Sequence, residues 1–193
     1  MKQKRTQEIE LRALLDRDEF DSIMERLARF GAEVCEDERV VDTYFCPKDV
    51  MSFDALEMNN LGSYSLRLRQ SGNSVDLNTK VITRQGDHNS WEEHEVVVDS
   101  YEETKKILES IGFKSFITIA KNRHKYKLDN MGIFLEDIDD FGLAIEVEIM
   151  ATEDEDDEAK RKIGGLFDRL NISSDKIVPK SITNIIMREK AEF

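Results

Sequence analysis

Charged and apolar residues alternate strictly near the start of this chain. Glu8, Glu10 and Arg12 are separated by Ile9 and Leu11. Because successive side chains of a β-strand point to opposite faces, the alternation predicts a strand with one charged face and one apolar face. In most half-buried strands the charged face simply contacts water, so one strand of this kind says little about function.

The same alternation returns in four later segments. Segments 65–69, 93–97, 121–123 and 146–149 each place two like charges on one face of a predicted strand. For any one pair, an ordinary surface ion pair is the more common explanation. Five such strands in one chain favour the alternative, in which the charges share one surface of both signs. The pairs are Arg67 with Arg69, Glu93 with Glu95, Lys121 with Arg123, and Glu146 with Glu148.

Eight strands, interspersed with four helices, are predicted along the chain. The helices are defined by periodic apolar residues, by caps (Asp16, and either Ser100 or Asp99) and by stops such as Gly31 and Gly112. Most strand connections resemble hairpins, which favours an α+β fold built on an antiparallel sheet. Eight strands is also a number at which a sheet can close into a barrel. The predicted strands are 6–15, 34–45, 63–70, 75–83, 90–98, 114–128, 131–138 and 143–150.

An acidic run at 153–158 is followed by Lys160, Arg161 and Lys162. The helix dipole favours acids first and bases later, so the run predicts the solvated start of a helix. A divalent-ion site is the alternative that this order makes less favourable. A last helix is predicted after Pro179.

Composition narrows the class of protein. The 193 residues fit one domain, and 39% hydrophobic with 36% charged residues indicates a globular but unusually ionic chain. The net charge of −13 argues against broad binding to nucleic acid or to an anionic membrane surface, and is compatible with a local basic pocket. No apolar run approaches the roughly 20 residues of a membrane span, and the basic N-terminus lacks the apolar stretch of a secretory signal.

Cysteine, histidine and aromatic positions add no second site. Cys35 and Cys46 show no metal-binding or redox spacing. We therefore expect reduced thiols in a cytoplasmic protein, with a disulfide as the less favoured alternative. His88, His94 and His124 lack metal-ligand spacing and are expected at the surface or an edge, whereas Trp91 and Tyr126 are expected to pack.

The charged faces predict a phosphate-rich ligand. If the apolar faces lie under helices, the charged faces point into the barrel, where each charge needs a partner. Guanidinium and ammonium groups bind phosphate oxygens. Carboxylates repel phosphate unless the carboxylates hold a divalent metal. Mg²⁺ and Mn²⁺ prefer such oxygen ligands. The cations Arg12, Arg67, Arg69, Lys80, Lys121 and Arg123 nearly balance the acids Glu8, Glu10, Glu93, Glu95, Glu146 and Glu148.

The ordered series of motifs resembles the CYTH superfamily, also called triphosphate tunnel metalloenzymes, which includes class IV adenylyl cyclases and thiamine triphosphatases. Segment 8–12 is similar to that family's E-x-E-x-K signature, with Arg12 in place of the lysine. The resemblance continues through R-x-R at 67–69, the lone strand lysine Lys80, the acidic pair at 93–95, K-x-R at 121–123, Glu136 where the family often has Asp, and an ending like L-G-x-F-x-E-x-E at 141–148. It covers residues 6 to about 188.

The resemblance implies a fold and a set of ligand-binding residues. The fold is an eight-stranded antiparallel β-barrel, or tunnel, with helices packed outside, forming one domain over residues 1–193. In this family cations hold a triphosphate, and acids hold one or two divalent ions, Mg²⁺ or Mn²⁺. The implied phosphate-binding residues are Arg12, Arg67, Arg69, Lys80, Lys121 and Arg123.

The resemblance also implies metal-binding and catalytic residues. The last helix is similar to the family's closing segment, and Lys180 before it would either reach a phosphate or begin the helix in solvent. Arg12 keeps the charge of the family lysine but cannot donate a proton, so an acid role there is not expected. The implied metal ligands are Glu8, Glu10, Glu146 and Glu148. Glu93, Glu95 and Glu136 would be second ligands or orienting groups, and they complete a catalytic set with Glu8, Glu10, Arg12 and Lys80.

Three functions follow from this set. The first is a metal-dependent triphosphatase acting on tripolyphosphate, thiamine triphosphate or a nucleoside triphosphate. The second is a class IV adenylyl cyclase that converts ATP to cyclic AMP and pyrophosphate. The third is a non-catalytic module that binds polyphosphate or nucleotide, and the presence of all four implied metal ligands favours catalysis over it. A small triphosphate is the expected partner, with no nucleic acid or membrane, and a homodimer is a further expectation.

Overall fold

Nine strands form a single antiparallel sheet in the part of the chain that the computed structural model describes, which is residues 6–56, 61–83 and 90–193. The strands are β1 Thr6–Leu15, β2 Glu33–Pro47, β3 Tyr64–Ser71, β4 Ser74–Ile82, β5 Ser90–Val97, β6 Phe113–Leu128, β7 Met131–Ile138, β8 Gly142–Thr152 and β9 Ile177–Val178. The helices are α1 Arg17–Arg29, α2 Tyr101–Ser110, α3 Asp156–Arg169 and α4 Ile182–Lys190. His88, expected at the surface or an edge, lies outside the described residues.

The sheet closes on itself. Its strands follow the order β5-β4-β3-β2-β6-β7-β8-β1, and β5 pairs with β1 through Glu8 opposite Trp91. The predicted eight-stranded antiparallel ring is therefore confirmed. The short β9 was not predicted; it pairs with Arg12 and Ala13 of β1, beyond the point where β5 ends its pairing. Two residues are too few for a periodic pattern to reveal.

Apolar packing outside the ring decides which face of each strand points inward. Ile23 and Leu27 of α1 and Ile163 of α3 pack against Ile9 of β1 and Val147 of β8, and all five are at most 2% exposed. Burying each such side chain contributes roughly 1.5–3 kcal/mol. Because neighbours in a strand point to opposite faces, the charged residues on either side of Ile9 and Val147 are turned into the ring.

The other two helices occupy different places on the ring. Leu108 of α2 packs on the outer face of β2 and β3 against Phe45 and Leu68. Ile182 and Ile186 of α4 pack instead with inward-facing residues near one end of the ring, including Tyr44, Ile119 and Ile138. Helix α4 therefore lies across that end of the space that the ring encloses, which we call the lumen.

Several local predictions are confirmed and one is refined. Ser100 caps α2 by accepting a hydrogen bond from the Glu103 amide, and both cysteines are free thiols, Cys35 exposed and Cys46 buried. The acidic run does begin a helix, but it is not uniformly solvated, because Asp156 is buried and pairs with Lys160 at 3.1 Å. Among the described residues, no helix has the length and apolar character needed to cross a membrane.

Candidate active site

The lumen brings together charges from all eight long strands. Going round the ring, β3, β2, β6 and β7 are consecutive, as are β8, β1, β5 and β4. The first four carry most of the inward-facing cations and are called the basic half; the second four carry most of the carboxylates and are called the acidic half. A cavity in the lumen touches both halves and α4. Its lining includes Glu10, Arg67, Lys80, Lys121, Arg123, Glu136 and Glu146, together with Tyr44, Ser65, Trp91, Ser181, Ile182, Thr183 and Ile186.

Asp42 on β2 is the hub of the basic half. It is 1% exposed and accepts two hydrogen bonds from Arg69, Nε to Oδ1 at 2.7 Å and Nη2 to Oδ2 at 2.9 Å. Lys121 and Arg67 approach the same carboxylate at 3.6 and 3.7 Å. Burial alone would raise the pKa of Asp42, but Arg69, Arg67 and Lys121 outweigh it and hold the pKa far below its usual range.

Glu136 on β7 is the second acid of the basic half. Its Oε1 accepts hydrogen bonds from Arg123 Nε at 2.9 Å and Nη2 at 2.6 Å, and lies 2.7 Å from Lys121 Nζ. Burial opposes ionisation, but these two cations lower the pKa of Glu136 to about 2. The Arg123 guanidinium also stacks over Phe134, 4.8 Å from the ring centroid. Arg123 and Lys121 are therefore fixed before any ligand arrives.

Arg67 differs from its neighbours because its charge is buried but weakly paired. It is 8% exposed and lines the cavity. Its nearest carboxylate oxygens belong to Asp42 at 3.7 Å and Glu93 at 3.8 Å. Its Nε has no hydrogen-bond partner within the described parts of the chain. A buried donor without a partner is costly, and Arg67 therefore keeps a hydrogen-bond donor that is available to a bound group.

In the acidic half, Lys80 stands among several carboxylates. Its Nζ lies 2.8 Å from Glu8, 3.4 Å from Glu10 and 3.8 Å from Glu93. Burial raises the pKa of Glu8 to about 11, aided by the neighbouring carboxylates, and burial with repulsion from Glu10 also raises the pKa of Glu146. One ammonium group thus faces three carboxyl groups within 4 Å.

Glu10 is held by three donors. Trp91 Nε1 donates to its Oε1 at 2.7 Å, Lys80 donates to Oε2, and Arg12 donates to Oε1. Burial would raise the pKa of Glu10, but Arg12 and Lys80 lower it. The packing role predicted for Trp91 is incomplete, since its ring is 5% exposed, lines the cavity and donates to a predicted metal ligand.

Arg12 lies behind this carboxylate. It is 0% exposed, and besides Glu10 its guanidinium approaches Glu146, with Nε 3.6 Å from Oε2. Here Arg12 orients two acids of the lumen wall. The phosphate contact that the resemblance implies for it stays a prediction.

The carboxylates of the acidic half fit a divalent cation in chemistry and charge. The acids Glu8, Glu10, Glu93, Glu146 and Glu148 outnumber the cations Arg12 and Lys80. Burial, with a smaller contribution from neighbouring carboxylates, raises the pKa of Glu8 and of Glu146. Carboxylate oxygens are the ligands that Mg²⁺ and Mn²⁺ prefer. Within the described residues, no three His, Cys, Asp or Glu side chains are already arranged around an ion position, and the Lys80 ammonium stands between several of them.

The remaining predicted residues lie at the margins of the lumen. Glu93 and Glu95 both accept from the Asn78 amide, Glu95 at 3.4 Å, and both residues are exposed. Lys180 is also exposed, just before α4. His94 is exposed beside Glu92, and its predicted surface position is confirmed.

The α4 end of the lumen has a different chemistry. Tyr44 donates to, or accepts from, Thr183 at 3.3 Å, and the surrounding surface is formed by Ser65, Ser181 and isoleucine side chains. Hydroxyl and apolar groups cannot neutralise phosphate charge. In this cavity the charged side chains come from the strands, whereas α4 contributes hydroxyl and apolar groups.

Sequence reasoning missed three lumen residues. Asp42 is a single acid among inward-facing Val40 and Tyr44, so no repeated charge marked it. Asn78 and Trp91 are uncharged, and an alternating pattern of charges does not identify them. A search for any polar residue at the inward parity of each predicted strand would have found all three.

Sequence comparisons relate this chain to known proteins. A family model described as the CYTH domain matches residues 6–182. A protein of Methanocaldococcus jannaschii named "Putative adenylate cyclase MJ0240" is 25% identical over 175 residues, covering 90% of this chain and 95% of that protein.

Solved structures show the same fold. The PH1819 protein of Pyrococcus horikoshii superposes with a TM-score of 0.79 at 23% identity, covering 95% of this chain and 99% of that one. HpAC1 of Hippeastrum, named a "putative adenylyl cyclase" with a dominant triphosphatase activity, superposes with a TM-score of 0.67 at 16% identity, covering 96% and 95%. With the family model matching most of its length, the chain belongs to the CYTH domain family.

Proposed function

We propose that this protein is a divalent-metal-dependent enzyme that hydrolyses a triphosphate inside the lumen. The observation that carries the proposal is the opposite charge surplus of the two halves around one cavity. In the basic half Arg67, Arg69, Lys121 and Arg123 face Asp42 and Glu136, and in the acidic half five carboxylates face Arg12 and Lys80.

A metal–triphosphate complex supplies both missing charges. Its phosphate oxygens suit the under-paired Arg67 and the neighbouring Lys121 and Arg123, since guanidinium groups bind such oxygens in pairs. Its cation suits the carboxylates of the acidic half. A metal-free anion would leave the acidic half uncompensated, and a metal ion alone would leave Arg67 without a partner.

The residues divide the work between them. Arg67, Lys121, Arg123 and Lys80 would bind and orient the phosphates, and Arg69 would hold Asp42 so that it does not compete for the ligand. Glu8, Glu10, Glu146 and Glu148 would hold the cation, which when bound neutralises phosphate charge and activates water. Phosphoryl transfer depends mainly on positioning and charge stabilisation, and this is what a rigid, pre-paired lumen provides.

A second candidate is an adenylyl cyclase, in which the 3′ oxygen of ATP attacks the α-phosphate and pyrophosphate leaves. The name of the Methanocaldococcus relative favours it, whereas the activity described for the Hippeastrum protein favours hydrolysis. The hydrolase and the cyclase would use the same charged residues to bind the triphosphate and would differ in the group that attacks it. The hydrolase is preferred because the charged residues described in the lumen suit a triphosphate and a metal ion, and hydrolysis needs no binding site for adenine.

The test is a substrate panel. The protein is incubated with tripolyphosphate, thiamine triphosphate or ATP, with and without Mg²⁺ or Mn²⁺, and orthophosphate, pyrophosphate and cyclic AMP are measured. Metal-dependent orthophosphate release supports the proposal, cyclic AMP with pyrophosphate supports the cyclase, and binding without turnover supports the non-catalytic module. Glu10→Gln should abolish turnover, while Glu25→Gln on the exposed surface of α1 should not. Unchanged turnover in Glu10→Gln would contradict the metal assignment.

The cytoplasmic location, the homodimer and the lack of nucleic-acid binding stay predictions.

A further inference from the structure

Gly132 interrupts the inward face of β7. Positions 132, 134, 136 and 138 share that face by strand parity, and Phe134, Glu136 and Ile138 are all buried there. Glycine inside a strand is destabilising, because it has no side chain to pack and loses more conformational entropy on folding than other residues. It usually marks a special backbone conformation or the close approach of another group.

Backbone conformation does not require this glycine. Among the described residues with positive φ are Asp129, at +53° in the preceding turn, and five glycines, but Gly132 is not one of them. The strand backbone at this position therefore suits any ordinary residue.

Close approach does require it. Gly132 pairs directly with Glu148 of β8. A Cβ added to Gly132 would lie 2.9 Å from Glu148 Oε1 and 3.0 Å from Glu148 Cγ, both well inside van der Waals contact. Because the middle and the end of the Glu148 side chain both lie over the glycine, turning the carboxylate alone would not relieve the overlap.

Another pair on the same face of these two strands shows the contrast. Glu136 is opposite Ala144, which has a Cβ. Glu136 turns away toward Arg123 and Lys121 on β6, where it finds its partners. Glu148 instead lies across β7, with its Cγ and Oε1 over Gly132.

We propose that Gly132 is a positioning residue for Glu148: its missing Cβ leaves the space in which Glu148 lies, and so sets where this carboxylate stands in the acidic half. The consequence for cation binding rests on the proposed metal-dependent function, whereas the steric relation between the two residues does not. Gly132 itself touches no substrate.

The first measurement is Mn²⁺ affinity by calorimetry, without any triphosphate. Gly132→Ala should weaken Mn²⁺ binding by about tenfold, the range found when a group that orients a metal ligand is changed. The matched control is Gly164→Ala in α3, where an added Cβ meets no atom within 4 Å, and its affinity should match wild type. Combining Gly132→Ala with Glu148→Asp, which shortens the displaced side chain, should recover part of the lost affinity. Equal affinities for Gly132→Ala and Gly164→Ala would overturn the proposal.

The second measurement separates this inference from the proposed function. Thermal midpoints are compared for wild type, Gly132→Ala, Glu148→Ala and the double variant, without metal. Gly132→Ala should lower the midpoint by roughly 3 °C when Glu148 is present and not in the Glu148→Ala background. An equal loss in both backgrounds would refute the steric relation. If wild type binds no Mn²⁺, the metal-dependent function fails, and this thermal comparison alone decides the role of Gly132.

Discussion

The two halves of the lumen solve the problem of buried charge in different ways. In the basic half, cations and acids pair closely: Asp42 with Arg69 and Glu136 with Arg123 make contacts of 2.6–2.9 Å. In the acidic half, carboxylates crowd around Lys80, and Glu8 with its raised pKa keeps a proton at neutral pH. Charge in the basic half is neutralised mainly by ion pairs, and charge in the acidic half is neutralised partly by protonation.

This difference indicates what each half lacks. The contact between the halves is loose, since Arg67 of the basic half approaches Glu93 of the acidic half at only 3.8 Å. Each half therefore keeps a surplus that the other does not cancel. A buried surplus is unfavourable, and a ligand that carries both signs removes it on both sides at once.

The largest expected effect comes from the basic half, at the cation that is paired least. Arg67→Ala should lower kcat/KM for the preferred triphosphate on the order of 100-fold, because it removes a charged hydrogen-bond donor that the proposed ligand uses. Steady-state kinetics measure this. Arg39→Ala, which removes an exposed arginine paired with Asp139, is the control. An equal, small effect in both variants would remove the distinction between Arg67 and an ordinary surface arginine.

The next effect tests whether partners really neutralise the basic half. Asp42→Asn leaves Arg69 buried without its charge partner, which costs about 3–5 kcal/mol and should lower the thermal midpoint by roughly 10 °C.

The same variant gives a pH dependence. Because the pKa of Asp42 is lower in the folded protein than its unfolded value of about 4, it stabilises the fold above pH 4, and this contribution is lost as pH falls below 4. The thermal midpoint of wild type should therefore fall more steeply between pH 5 and pH 2.5 than that of Asp42→Asn. Parallel curves for the two proteins would show that Asp42 is not held by these cations.

A smaller effect is expected from the acidic half. Trp91→Phe removes the hydrogen bond to Glu10, and a bond to a charged acceptor contributes about 1.5–3 kcal/mol. We expect a thermal midpoint lower by roughly 5 °C and about tenfold weaker Mn²⁺ binding. Tyr101→Phe, which loses a hydrogen bond to Thr43 on the outer side of the ring, should lower stability without changing Mn²⁺ affinity. If both variants behave alike, Trp91 serves stability alone.

The smallest effect is expected at the margin. Lys180 is exposed, unlike the buried Lys121 of the basic half. Lys180→Ala should change KM for a triphosphate less than twofold, since an exposed charge is screened by solvent. A tenfold rise in KM would show that Lys180 reaches the ligand and that the lumen extends past α4.

Much of this arrangement was visible in the chain itself. Alternation at period two predicted the long strands to within a few residues, and the apolar members of each strand predicted which face the helices cover. The charged members at 8–12, 67–69, 121–123 and 146–148 consequently point into one lumen. These features are local, because parity along a strand does not depend on which strand lies beside it.

The tertiary structure alone decided how the charges pair. Asp42 meets Arg69 because β2 and β3 pair in a register that places them opposite each other, and Trp91 meets Glu10 because β5 closes the ring onto β1. In the sequence Gly132 indicates only the hairpin turn before β7, because its relation to Glu148 depends on the neighbouring strand. Alternation determines which face a side chain occupies, but the partner across the lumen depends on strand order and register, which local patterns do not encode.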